Sequence, residues 1–207
     1  MDYKTIIFDF DGVLCHDHFY TNLATLYPSV FEFIESTIFE NGSEILNKWM
    51  RGQITKFDIN SFISSNTGID IDVLNRLFIE SVNVMRIDQQ MLDLAKSFSQ
   101  QGKNIALVTN NVDVFTDITV KRLGLDKVFP VIINSHNYRL LKNDENGKLY
   151  DITITKLGVR DYQTALLIDD SSKAREVFSA KGGGVYAYKT YNDLILWLKN
   201  ETNLACL

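Results

Sequence analysis

Near the amino terminus, Lys4-Thr5-Ile6-Ile7-Phe8 is a short, nearly unbroken apolar run that ends in Asp9. Strands covered on both faces show this continuous pattern in place of alternation, so the run predicts a buried parallel strand. Residues 104–108, 128–133, 164–168 and 184–188 carry the same β-branched, apolar look. Helical stripes lie between them: Val112, Phe115, Thr119 and Leu123 share one face, residues 152–157 form a short mixed segment, and Ala174, Val177 and Phe178 fall together. Strand alternating with helix implies parallel pairing through right-handed crossovers, hence an α/β fold with a doubly wound parallel sheet. Ligands of such sheets bind beyond the carboxyl ends of the strands, the edge at which Asp9 stands.

The alternation breaks between residues 16 and 86, where amphipathic helical patterns replace strands. They are Phe19, Leu23 and Leu26; Val30, Phe33, Ile34 and Ile38; Ile45, Leu46 and Trp49; Ile59, Phe62 and Ile63; and Val73, Leu74, Leu77 and Phe78. Ser43, Thr55 and Asp70 each precede one of these runs as helix-starting residues. The expected organisation is therefore an α/β core of residues 1–15 and 87–207, with an all-helical cap of residues 16–86 inserted over the site edge. Gly182-Gly183-Gly184 precedes a strand without the strand-before, helix-after setting of a phosphate loop, and reads as a flexible turn.

Composition narrows the function classes. With 207 residues, 45% hydrophobic and 23% charged, the chain is long enough for a full core. A net charge of −5 argues against a nucleic-acid binder, which needs a basic stripe, but not against a small phosphorylated substrate held by a local field. Cys15 and Cys206 lack metal-ligand spacing and read as free thiols; the acidic surroundings of Cys15 argue against a reactive thiolate. No signal peptide, membrane span or prenylation box is read, since the tail places Cys206 second from the end. The expectation is a cytoplasmic protein without membrane or nucleic-acid partners, either monomer or homodimer.

The chemistry lies at the strand ends. Asp9 and Asp11 stand one residue apart with Gly12 behind them, and burying two like charges this close is unfavourable unless a cation or a chemical task compensates. Magnesium fits, because it takes oxygen ligands, keeps several waters and leaves room for a phosphate. Thr109-Asn110-Asn111 offers a hydroxyl and amide groups where the next helix begins, suited to phosphoryl oxygens. Asp169-Asp170-Ser171 supplies a second acidic pair, and Lys142 a cation to offset the carboxylates and pair with phosphate.

This ordered set resembles the haloacid dehalogenase-like (HAD) hydrolase superfamily. Asp9-Phe10-Asp11-Gly12-Val13 matches its first motif, Thr109-Asn110-Asn111 the second, Lys142 the third and Ile168-Asp169-Asp170-Ser171 the fourth. The helical insertion is similar to the cap of subclass I members. Trp49-Met50-Arg51-Gly52-Gln53-Ile54-Thr55 with Phe62 looks like a helix-turn-helix of small-molecule phosphatases in that group. The resemblance implies that Asp9 is the nucleophile and Asp11 the general acid and then base. It also implies magnesium on Asp9, Asp11 (through its carbonyl), Asp169 and Asp170, and phosphate on Thr109, Asn110 and Lys142.

The implied activity is hydrolysis of a small phosphorylated metabolite, a sugar phosphate or nucleotide-like monoester, through an aspartyl-phosphate. Phosphomutase chemistry and a non-catalytic ligand-binding role stand as alternatives. The family's proline after the lysine is absent here, so Lys148 remains an alternative to Lys142, which the spacing from Phe129 favours. His16 and His18 fall where cap and core would meet, and Arg51 reads as a substrate clamp or a solvated helix end.

Overall fold

The computed structural model describes residues 2–40 and 42–201; Cys206 and the tail motif lie outside them. A five-stranded, all-parallel sheet runs in the order β3-β2-β1-β4-β5. The strands are β1 (Thr5–Phe8), β2 (Asn104–Thr109), β3 (Val131–Asn134), β4 (Ala165–Asp169) and β5 (Gly184–Ala187). β1 is central and buried throughout. Its alternate side chains enter two different layers, as strand geometry requires. Ile6 and Phe8 pack with Met91 and Phe98 of α6 (Gln89–Gln100) and Leu194 and Leu198 of α11 (Tyr191–Glu201). Ile7 packs with Leu149 and Tyr150 of α9 (Lys148–Lys156) and Phe178 of α10 (Ser172–Ala180).

β3 starts three residues later than its apolar run predicts. Leu125–Lys127 forms a 3₁₀ turn, Phe129 turns into the core, and Pro130 has no N–H to give to a ladder. The stripe from Val112 to Leu123 becomes a π-helical turn, Phe115–Thr119, continued by α7 (Val120–Arg122). The glycine run is a packing device: a Cβ at Gly183 would strike the Phe178 ring, and one at Gly184 the Tyr3 ring.

Five helices lie between β1 and α6: α1 (Leu23–Leu26), α2 (Pro28–Thr37), α3 (Glu44–Met50), α4 (Lys56–Thr67) and α5 (Ile71–Val84). Their starts follow the expected caps. Ser43 Oγ accepts from Leu46 N, Asp58 closes a capping box with Thr55, and Asp70 accepts from Asp72 N and Val73 N. Trp49, Phe78, Ile34 and Ile59 anchor a hydrophobic cluster that also takes Val112 and Val114 from the loop after β2. Removing either large ring costs about 3–5 kcal/mol in a packed core. The chain leaves the sheet at Cys15 and returns at Ile87, and these two residues form a bridge side by side. Among the described residues, no helix is long and apolar enough to cross a membrane.

Candidate active site

Register brings the acidic groups together. Phe8 pairs with Leu107 on one side and Ile168 on the other, so Asp9 and Asp169 emerge at the same level of neighbouring strands. Behind them Gly12 adopts a left-handed backbone with φ +73°, and a Cβ there would collide with the Asp170 carboxylate. Only glycine lets the chain turn this close to β4.

Asp9 is 5% exposed and Lys142 2%. The Lys142 ammonium lies 2.6 Å from Asp9 Oδ2 and 2.8 Å from Asp169 Oδ2. Burial pulls the lysine toward neutrality, but the two carboxylates outweigh it and its pKa is raised. Burial, then Asp169, push the Asp9 carboxyl well above the usual carboxylate range, with Lys142 opposing. Asp170 is raised by burial and by Asp169. Carboxylate oxygens of Asp9, Asp169 and Asp170 all lie within 4.8 Å of one another. One ammonium against this all-oxygen set leaves negative charge uncompensated, and a hard divalent cation matches both the charge and the donors.

Asp11 stands at the edge of this cluster, half-buried. Burial lifts its carboxyl to about 7, Asp170 adding and Lys142 subtracting. Asn111 Nδ2 donates to Asp11 Oδ2 at 2.9 Å. The Asn111 amide in turn donates to Ser135 Oγ at 3.0 Å, and Ser135 donates to the Met50 carbonyl of α3 at 2.7 Å. Thr109 is fully buried at the end of β2, and its hydroxyl has no hydrogen-bond partner among the described residues. Such a group is costly unless something else fills its hydrogen-bonding capacity, and a phosphoryl oxygen would do so. Asn110 Oδ1 accepts from Lys142 N at 2.8 Å, fixing the lysine's backbone beside it. Lys148 is exposed at the start of α9; of the two lysines, Lys142 is the one among the carboxylates.

Several groups outside the sequence motifs join α3 and α4 to the sheet edge. Asp113 Oδ1 accepts from Trp49 Nε1 at 3.0 Å, and Oδ2 from Lys56 N at 2.9 Å. His136 Nδ1 lies 2.8 Å from the Trp49 carbonyl, and a Cβ at Gly52 would strike the His136 carbonyl. Arg51 is half-buried and paired: its Nε and Nη2 donate to Asp144 at 2.7 and 2.8 Å. The Cys15 thiol is pushed up to about 11, chiefly by burial, which matches an inert thiol.

Between these helices and the sheet edge lies a cavity of about 230 Å³, lined at one end by Asp11, Gly12, Asn110 and Asn111. His16 and His18 are exposed on its lining, and Phe19, Phe39, Leu46 and Met50 contribute apolar wall. An adjoining recess of about 500 Å³ shares Phe39, Leu46, Met50 and Asn110 with it and reaches Lys142 and Ser171, with Arg51 and Lys173 on its lining.

Solved structures share this fold at low identity. A HAD-like family hydrolase from Porphyromonas gingivalis superposes with a TM-score of 0.76 and 18% identity, covering 98% of this chain and 100% of the other. A HAD family enzyme from Bacteroides thetaiotaomicron, in complex with magnesium and inorganic phosphate, gives 0.72 and 18%, covering 93% and 98%. In sequence, the chain is 22% identical over 191 residues to a phosphoserine phosphatase of Archaeoglobus fulgidus, covering 88% of this chain and 52% of that protein. It thus spans about half the length of that relative. The family model described as haloacid dehalogenase-like hydrolase matches residues 3–173, and the chain belongs to that family.

Proposed function

We propose that the protein is a magnesium-dependent phosphatase of a small phosphorylated metabolite, with residues 16–86 acting as a cap over the core of residues 1–15 and 87–207. The observation that carries this reading is Asp9, buried and held by Lys142, with Asp11 beside it and Asp169 and Asp170 across the strand gap. An Asp9 oxygen attacks phosphorus, the ester bond breaks, and the leaving oxygen takes the Asp11 proton. The acyl phosphate on Asp9 is then hydrolysed by a water whose proton returns to Asp11. A carboxyl lifted to about 7 suits both tasks at neutral pH. Thr109 and Asn110 would orient the phosphoryl oxygens, and Lys142 would neutralise their charge.

Asp9, Asp169, Asp170 and the Asp11 carbonyl would hold Mg²⁺, which when bound supplies positive charge and alignment for the phosphoryl group. The relative's name and the magnesium and phosphate complex of the Bacteroides enzyme agree with this assignment. Carbon–halogen cleavage fits less well, because a halide leaves without needing the Asp11 proton. The deciding experiment measures phosphate release from a panel of phosphomonoesters with Mg²⁺, for wild type and Asp9→Asn. Release by wild type and none by the variant is expected; equal release by both, or none by either, overturns the reading.

A further inference from the structure

We propose that the substrate's leaving group is a compact, uncharged and mainly apolar alcohol, and that zwitterionic alcohols such as serine are poor fits. This rests on the phosphatase reading and names the substrate class of that site. The 230 Å³ cavity touches Asp11, Gly12, Asn110 and Asn111, while Asp9, Thr109 and Lys142 are absent from its lining. It therefore opens on the side of the proton donor, and the part of the substrate it receives is the departing alcohol. The phosphoryl group belongs on the other side of Asp11, among Asp9, Thr109 and Lys142.

The wall of that cavity has little to offer an anionic group. Phe19, Phe39, Leu46, Met50, Met85 and Val112 supply its apolar part, and among the described residues no lysine or arginine lines it. Arg51 faces the neighbouring recess and is spent on Asp144. Asp17, which also lines the cavity, is engaged with a cation: it accepts from Arg86 N at 2.7 Å, Nη2 at 3.1 Å and Nε at 3.2 Å. Its carboxyl accordingly lies below the ordinary range. His16 and His18 are exposed, and the His16 ring stacks on Tyr188 with centroids 6.5 Å apart. They give a hydroxyl at the mouth something to bond. A leaving group bearing a carboxylate would bury that charge with no cation on the wall to meet it, which is strongly unfavourable.

Size points the same way. At about 30 Å³ for each water in the liquid, 230 Å³ corresponds to roughly eight waters. This lies below the range of about 300–1,000 Å³ for pockets that take drug-sized ligands.

The test compares kcat/KM of the wild-type protein with Mg²⁺ on n-butyl phosphate, O-phospho-L-serine and acetyl phosphate. We expect n-butyl phosphate to exceed phosphoserine by about tenfold or more, the scale on which apolar pockets discriminate. Phosphoserine equal to or better than n-butyl phosphate overturns the proposal while leaving the phosphatase reading intact. Acetyl phosphate makes that separation clear, since its leaving group needs little from the cavity. If none of the three is hydrolysed, the phosphatase reading fails and the proposal fails with it. Leu46→Arg and Met50→Arg each place a cation on the wall, and circular dichroism checks their folding. In either folded variant the phosphoserine to n-butyl phosphate ratio should rise at least about tenfold; an unchanged ratio overturns the proposal.

Discussion

Asp113→Ala should be among the most damaging single changes outside the acidic cluster, because one buried carboxylate fastens two helices to the loop after β2. Oδ1 takes the Trp49 indole N–H at 3.0 Å and Val114 N at 3.0 Å, and Oδ2 takes Lys56 N at the start of α4 at 2.9 Å. Trp49 is fully buried, so its N–H cannot turn to solvent when the carboxylate is removed. A hydrogen bond to a charged group contributes about 1.5–3 kcal/mol, and a buried donor left alone costs about 1–3 kcal/mol. Counting the indole and the helix start once each gives about 4 kcal/mol for the whole substitution. At about 2–4 °C per kcal/mol for a chain of this length, Tm should fall by roughly 8–16 °C. The assay is thermal unfolding followed by far-UV circular dichroism and tryptophan fluorescence, repeated for Trp49→Phe and the double variant. The cycle should show a coupling of at least about 1 kcal/mol. A Tm loss under about 2 °C, or a coupling near zero, would refute the view that Asp113 acts through Trp49.

Three further outcomes are expected. Gly12→Ala forces a left-handed alanine, costing about 1–2 kcal/mol, and displaces Asp170; the Tm increase on adding Mg²⁺ should shrink, and an undiminished increase counts against the close approach. Lys142→Met leaves buried Asp9 and Asp169 without their cation and should cost about 3–5 kcal/mol, part of it recovered with Mg²⁺; equal loss with and without Mg²⁺ counts against a shared charge site. The hydrogen bonds and charge of Arg51 hold the Asp144 carboxyl below its ordinary range. Its depressed folded pKa makes the pair stabilising above the unfolded value near 4, and that stability is lost as pH falls through the folded value. Urea midpoints of wild type and Asp144→Asn should differ most above about pH 5 and draw together as the pH falls through the depressed folded value; a gap that does not change with pH refutes the assignment.

The strands that bear the acidic pairs were legible because both faces of a parallel sheet are covered, so Ile6, Ile7 and Leu166 to Ile168 read as unbroken apolar runs. Helix starts at Ser43, Thr55 and Asp70 were legible because a cap acts over three residues. Partner choice across long separations was not. Arg51 meets Asp144 93 residues away and Trp49 meets Asp113 64 residues away, and neither pairing leaves a local pattern. Lys142 and Lys148 both precede a helical stretch and differ only in which one the chain buries. Asn111 was visible as part of its motif, but its hold on Asp11 depends on how the loop after β2 folds over β1.

Ser135 carries a single hydroxyl proton and has two carbonyls within reach, Met50 at 2.7 Å and Asn111 at 3.1 Å. The same oxygen receives the Asn111 amide, whose side chain steadies Asp11. One hydroxyl thereby ties the carboxyl end of α3 to the loop that bears Asn111, so that helix cannot shift without changing the bonds of the residue that holds Asp11.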